Sequence, residues 1–196
     1  MPFGLSKATV LGAAGSGGGE GGTFEWIAGI TVSDSSTSSI TFNSLDAATY
    51  RELFIRWSLL SGTTPDDVNL QLNGNTGSNY YSNEWWTHNS NSGKNGFSGQ
   101  AHLRLVWSAG TSSSYASPMA GIINISDANT STQTSIESLA YRSYDTGSSY
   151  GTFDYATTLL SAGSNYTISS VTLKRSSQNF TSGDTFQLFG AKSSSS

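Results

Sequence analysis

Hydrophobic and polar residues alternate with a period of two along most of the chain after Thr23. The alternation is clearest at residues 53–59 and 101–107, where every second residue is apolar. Such a pattern places one face of a β-strand on a core and the other face in solvent. It predicts about ten strands, at residues 24–28, 40–42, 53–59, 68–72, 101–107, 119–125, 136–141, 153–160, 168–173 and 186–189.

The breaks between these segments contain residues that favour turns. Asn73-Gly74 follows an alternating strand and is typical of a type I′ turn. Further turns are predicted at Asn95-Gly96, at residues 145–147 and at residues 182–184. Residues 45–57 are compatible with a helix, but the alternation from Arg51 onward favours a strand preceded by one helical turn.

The interval from Tyr80 to Phe97 is the least regular part of the chain. Its sequence, YYSNEWWTHNSNSGKNGF, is rich in aromatic and amide side chains. It is too polar for a central strand throughout its length. We therefore predict a strand that continues into an elaborated loop.

The two ends of the chain differ from the alternating part. Residues 1–22 begin mildly apolar and end in a glycine-rich stretch, which is compatible with a disordered tail or with an extended N-terminal docking arm, and we predict the docking arm. Residues 23–192 are predicted to form the β-sandwich domain, and residues 193–196 a flexible serine tail. The arm has four apolar side chains that a partner could bury, namely Phe3, Leu5, Val10 and Leu11.

Composition narrows the function classes. Only 11% of the 196 residues are charged, against about 25% in an average soluble protein. The nine basic residues are scattered and the net charge is −4, so we predict no nucleic-acid partner. Cysteine is absent, which removes disulfides and cysteine-based zinc sites. No apolar run approaches the roughly 18 residues of a membrane helix, so no membrane insertion is predicted.

Motifs for catalysis or metal binding are weak. The only histidines, His88 and His102, lie in different segments, and no Gly-x-Ser-x-Gly motif surrounds a serine nucleophile. Asp66-Asp67 after Pro65 could supply calcium ligands, but a solvated turn is the favoured interpretation. Glu84 is the one acid beside exposed-looking tryptophans, a pairing that also suits sugar binding without hydrolysis. We predict no enzyme activity, no cofactor and no metal site.

The densest cluster of aromatic side chains has two possible roles. Rings beside amides form sugar-binding sites, because ring faces take apolar CH patches and amides take hydroxyls. Alternatively, every second member belongs to the core and the others cover a subunit boundary. The cluster comprises Tyr80, Tyr81, Trp85, Trp86 and His88.

Three stretches of the chain resemble the β-sandwich modules of tailed-bacteriophage virion proteins. They cover residues 23–45, 49–82 and 168–192. The shared features are a Tyr-x-x-Leu strand, an Asp-x-x-Leu-x-x-Asn-Gly hairpin and a closing strand that ends Leu-Tyr-Gly. In this chain the closing residues are Leu188-Phe189-Gly190, with phenylalanine in the tyrosine position.

This resemblance implies a bacteriophage virion protein without catalytic residues, assembled in the host cytoplasm. We expect an all-β, antiparallel, jelly-roll-like β-sandwich in a short tail-fibre or receptor-binding component. It would be a homotrimer, attached to other virion proteins by its arm, with a host-surface glycan as a candidate ligand. A capsid decoration protein that stabilises the head is the alternative within the family. A non-catalytic carbohydrate-binding module is the alternative from another class.

Overall fold

A computed structural model describes residues 24–46, 49–60, 66–88, 91–106, 119–128, 134–142, 152–160 and 167–192. The arm residues Phe3, Leu5, Val10 and Leu11 lie outside this set, as do residues 145–147 and 193–196. The described ranges contain twelve strands: β1 (Phe24–Thr31), β2 (Ser39–Phe42), β3 (Tyr50–Leu59), β4 (Val68–Leu72), β5 (Tyr80–His88), β6 (Asn91–Gln100), β7 (Leu103–Val106), β8 (Met119–Ser126), β9 (Thr134–Arg142), β10 (Thr152–Leu160), β11 (Val171–Arg175) and β12 (Thr185–Lys192).

The strands form two antiparallel sheets. The large sheet has the order β1-β12-β3-β8-β9-β10-β5-β6, and the small sheet has the order β2-β11-β4-β7. Without β5, β6, β9 and β10, two four-stranded sheets remain, and successive strands cross between them at every step except β4 to β7. This is the double Greek key of a jelly roll. The predicted antiparallel, jelly-roll-like sandwich is confirmed, with twelve strands instead of about ten.

Two inserted strand pairs extend the large sheet beyond the small one. The pair β5–β6 is inserted between β4 and β7, and the pair β9–β10 between β8 and β11. Strand β10 pairs with β5, so the two insertions lie side by side and double the width of the large sheet. Strand β7, at the end of the small sheet, contacts β9, β10 and β5. The inserted half of the large sheet, formed by β5, β6, β9 and β10, therefore has one strand of the small sheet packed against its inner face.

The core follows the alternation that the sequence shows. Leu53, Ile55, Trp57 and Leu59 of β3 all point inward and are buried. Strand β4 is buried along its whole length, including its polar residues. Among the residues that the structure describes, no helix is long and apolar enough to cross a membrane.

The buried polar residues of β4 bond to neighbouring segments. Asn69 donates from Nδ2 to Ser176 Oγ at 2.7 Å, and Gln71 donates from Nε2 to the Ala101 carbonyl at 2.9 Å. Because buried polar groups cost free energy unless they are hydrogen-bonded, these contacts allow β4 to lie inside the protein.

The Asn73-Gly74 turn is confirmed, but it does not form a hairpin. Both residues have positive φ, 51° and 63°, and the Asn75 amide donates to the Leu72 carbonyl at 2.8 Å. These are the features of a type I′ turn. The turn joins β4 of the small sheet to the segment that leads to β5 of the large sheet, so the two strands are not paired.

Other turn predictions have mixed outcomes. The turn at residues 182–184 is confirmed by a φ of 97° at Gly183 and by a hydrogen bond from the Asp184 amide to Thr181. A bond from the Thr49 amide to the Asp46 carbonyl closes one turn before β3. The predicted turn at Asn95-Gly96 is wrong, because both residues lie inside β6.

The elaborated loop predicted between Tyr80 and Phe97 is also wrong. The structure has two antiparallel strands there, β5 and β6. Their pairing runs from Tyr80–Gln100 to His88–Asn91, with one shift of register between Tyr80 and Ser82. Strand β6 is at the end of the large sheet, where only one neighbouring strand is required. Its amides and glycines are therefore compatible with pairing despite their low strand propensity.

Substitution of Gly121 by alanine is expected to destabilise the core by about 2 kcal/mol, because it overpacks a rigid site. A Cβ at this position would lie 2.4 Å from Trp57 Cζ2 and 2.7 Å from the Leu139 carbonyl oxygen. Gly96→Ala is the matched control, since its Cβ would meet only Asn83 Oδ1 at 3.5 Å. Urea unfolding of both variants measures the difference, and equal stabilities would contradict this packing.

Candidate functional site

The predicted aromatic cluster is divided between the two faces of β5. Tyr80 is buried in the core, where its hydroxyl accepts a hydrogen bond from the Leu72 amide at 2.8 Å. Tyr81 and Trp85 point to the opposite, outer face and are about half exposed. The side chains of Trp86 and His88 lie outside the described part of the chain. The cluster is therefore not one site, because strand alternation separates its members.

The outer face of the large sheet presents a group of exposed apolar side chains. Their exposed fractions range from 38% for Leu139 to 56% for Tyr141. Contiguous apolar surface surrounded by polar residues marks interaction surfaces in soluble proteins. We call the group the aromatic face, and it consists of Tyr81, Trp85, Ile122, Leu139 and Tyr141.

Strand register aligns the members of the aromatic face across β8, β9 and β5 of the large sheet. Ile122 of β8 pairs with Leu139 of β9, and Tyr155 of β10 pairs with both Leu139 and Trp85. Three strand spacings separate Ile122 from Trp85, which is about 14 Å along the sheet. Polar residues border the face on the same surface, at Arg56, Asn83, Lys94 and Glu137.

The inner face of the same strand contains a small polar pocket. Ser82 and Glu84 point inward from β5, where the inserted half of the sheet extends past the small sheet. The pocket has a volume of about 70 Å³. Seven residues line it: Asp67, Ser82, Glu84, Phe97, Gln100, His102 and Arg104.

A paired guanidinium and carboxylate form one wall of the pocket. Arg104 of β7 donates from Nε to Glu84 Oε1 at 3.1 Å and from Nη2 to Oε2 at 2.8 Å. Its Nη1 lies 3.8 Å from Asp67 Oδ2. The guanidinium carbon lies 4.6 Å from the ring centre of Phe97, a cation–π distance. These contacts fix the Arg104 side chain in one orientation.

His102 adds an uncharged ring to the lining. Burial lowers the pKa of His102, and the nearby charges of Lys174 and Arg104 lower it further, while Asp67 opposes them. The imidazole is therefore neutral at neutral pH, with one nitrogen as a donor and the other as an acceptor. No group of three or more His, Cys, Asp and Glu side chains in the described ranges is placed to hold a metal ion.

Asp66 does not lie in a solvated turn, and this corrects the interpretation favoured from sequence. It is 7% exposed and accepts hydrogen bonds from the amides of Ser177 and Gln178, both at 3.0 Å. The Ser177 hydroxyl also donates to it, at 3.1 Å, and Arg175 Nε lies 3.3 Å away. Asp66 therefore anchors the loop after β11, while its neighbour Asp67 faces the pocket.

Sequence reasoning missed the pocket, although one signal was present. Glu84 has the same strand parity as Tyr80 and Ser82, so it had to point to the same face as a buried tyrosine. A buried acid requires a partner, which predicts a nearby cation. The identity of that partner, Arg104, depends on where β7 lies, and alternation alone does not determine this.

Comparison with known proteins adds little to this description. No protein-family model matches the chain, and no curated protein matches it either. Among solved structures, the chain is similar to one in the structure of infectious bursal disease virus Gx strain, at 15% identity and a TM-score of 0.24. That alignment covers 88% of this chain and 40% of the other. This similarity is too weak to support a functional assignment. What is established for this protein is its fold class, an all-β jelly-roll sandwich.

Proposed function

We propose that this protein is a structural component of a tailed-bacteriophage virion, of the short tail-fibre or receptor-binding type. The observation that carries the proposal is the aromatic face, which presents Tyr81 and Trp85 beside Asn83 on one strand. Aromatic rings take the apolar CH surface of sugars, and a neighbouring amide bonds to hydroxyls. The face therefore suits contact with a host-surface glycan.

Several copies on one particle would make a weak contact effective. We propose a homotrimer attached to other virion proteins by residues 1–22, as the sequence resemblance implies. Linked sites bind with an avidity that exceeds the affinity of each copy. A binding face with few hydrogen-bonding anchors is sufficient in such an assembly.

Trp85→Ala tests the glycan contact. We expect the substitution to weaken binding to host cells by about fivefold per copy, because one stacked ring contributes about 1 kcal/mol. Virions that carry the variant would adsorb more slowly, while the mass of the purified protein by light scattering would not change. Trp26→Ala is the matched control, since Trp26 is at least as exposed as Trp85 but lies six strands away, about 30 Å along the same sheet.

Capsid decoration is a second candidate function, favoured by the aliphatic members Ile122 and Leu139. Aliphatic side chains pack against protein better than against hydroxyl-rich sugars. If the face covers a shell subunit, Trp85→Ala would reduce the heat resistance of the particle and leave adsorption unchanged. If the face joins copies of this chain, the same variant would lower the mass in solution. Unchanged adsorption, mass and heat resistance would contradict a binding role for this face.

A further inference from the structure

The pocket beside β5 has walls that are held in place before any ligand arrives. Both carboxylate oxygens of Glu84 accept hydrogen bonds from Arg104, and the Phe97 ring lies against the guanidinium. A buried ion pair is a poor way to gain stability, because apolar residues of similar volume often serve as well or better. A charged pair in a chain of low charge is thus better explained by the geometry it fixes. Preorganised walls reduce the cost of binding.

The charges of the pocket exclude one class of ligand. Arg104 is the only cation among the seven lining residues, and two carboxylates, Glu84 and Asp67, lie within 4 Å of the guanidinium. Lys174 is close enough to act on His102 but is not part of the lining. His102 adds no charge at neutral pH. Because the guanidinium is already neutralised, the pocket offers no net attraction to a phosphate, a sulfate or a sugar acid.

The remaining lining groups suit hydroxyls. The Ser82 hydroxyl, the Gln100 amide and the neutral His102 ring each offer a donor and an acceptor. Gln100 uses one N–H on the Ser98 carbonyl, at 3.1 Å, and an amide nitrogen has a second. A sugar hydroxyl both donates and accepts, so it matches this mixed lining.

The size of the pocket limits how much of a ligand can enter. A cavity needs about 10–15 Å³ to hold one water molecule, so a volume of about 70 Å³ admits a few small polar groups. This is space for a hydroxymethyl or vicinal-diol end group and too little for a complete oligosaccharide. The rest of a bound chain would lie outside the pocket.

From these observations we propose that the pocket formed by Ser82, Gln100 and His102 is a saccharide subsite that takes one hydroxyl-bearing end of a neutral glycan. The site goes beyond the proposed function, because it lies on the opposite face of β5 from Trp85 and cannot be part of the aromatic face. A single sheet separates the two surfaces. A protein with both would contact carbohydrate in two independent places.

NMR titration of the full chain with D-glucose, D-galactose and N-acetylglucosamine tests this subsite, with inorganic phosphate and methylammonium as charged probes. We expect at least one sugar to shift the amide signals of residues 82–84 and 100–104 with millimolar affinity. The charged probes should leave these signals unchanged. Absence of a response to all three sugars, or a response to phosphate or methylammonium alone, would overturn the proposal.

Two variants and one control place the binding in the pocket. Ser82→Ala and His102→Phe are each expected to weaken the sugar response by about fivefold, because each removes one hydrogen bond of about 1 kcal/mol. Trp85→Ala should leave the response at residues 82–84 unchanged. Equal affinity in all four proteins would also overturn the proposal. The proposed function is tested by virion adsorption of Trp85→Ala, and the subsite is tested by sugar binding in the pocket, which does not involve Trp85. Each proposal can therefore fail without the other.

Discussion

Replacement of Arg104 by methionine is expected to lower the free energy of unfolding by about 3 kcal/mol, because it leaves a buried carboxylate without its partner. The Glu84 side chain is 9% exposed and the Arg104 side chain 21%, so solvent screens the pair only in part. The substitution removes two hydrogen bonds to Glu84 and the contact with Phe97. Methionine keeps most of the side-chain volume, so the loss reports the charge and not a cavity.

A double-mutant cycle separates the pair from its surroundings. The double variant Glu84→Leu, Arg104→Met should recover most of the lost stability, because the more deeply buried carboxylate is then removed and Asp67 is 26% exposed. Arg51→Met is the matched control, since its ion pair with Asp127 is exposed and spans 3.9 Å, and a change within about 0.5 kcal/mol is expected. Urea unfolding of the wild type, the single variants Glu84→Leu and Arg104→Met, and the double variant measures the coupling. A double variant as unstable as Arg104→Met would contradict the account of an orphaned carboxylate.

The regular part of the fold was predictable because its signal is local. Leu53, Ile55, Trp57 and Leu59 alternate in sequence and all lie in the core. Each of the ten predicted strands corresponds to a strand of the structure, since alternation reports which face is buried without reference to the neighbouring strand. The exact sheet order follows from the path of the chain between sheets, which the pattern within each strand does not encode.

The β5–β6 pair shows where local signals fail. Asn95-Gly96 has strong turn propensity, yet both residues lie within β6, opposite Glu84 and Asn83. Pairing along β5 outweighs an intrinsic preference of a few tenths to about 1 kcal/mol per residue. Asn73-Gly74 shows the complementary failure, because its turn geometry is as predicted while its flanking strands lie in different sheets.

The arrangement of the aromatic side chains was not predictable from the sequence. Aromatic density drew attention to β5, but Tyr80 belongs to the core and Trp85 to the outer surface. Strand parity alone separates these two. The other members of the aromatic face that lie near Trp85, Ile122 and Leu139, are 37 and 54 positions further along the chain. Only the register across β8, β9 and β10 brings them together.

Substitution of Asp66 by alanine is expected to cost about 3 kcal/mol or more, because it orphans several donors at once. The amides of Ser177 and Gln178 and the Ser177 hydroxyl would lose their acceptor, and Arg175 its ion-pair partner. The Arg175 side chain is 8% exposed, so its charge would be left largely buried. Asp127→Asn, at an exposed ion pair, is the control and should change stability by less than about 0.5 kcal/mol.

The same carboxylate makes stability depend on pH in a direction that can be checked. Burial pushes the pKa of Asp66 upward, but the amides of Ser177 and Gln178, the Ser177 hydroxyl and the Arg175 charge outweigh it and hold the pKa below the ordinary 3.8. Because the folded pKa is the lower one, the contribution of Asp66 is present above pH 3.8 and is lost as pH falls through the folded value. Asp66→Asn removes this titration, so its unfolding free energy should fall less than that of the wild type between neutral pH and pH 3. Parallel acid curves for the two proteins would show that Asp66 binds a proton equally well in the folded and unfolded chain, and the anchoring role would then be wrong.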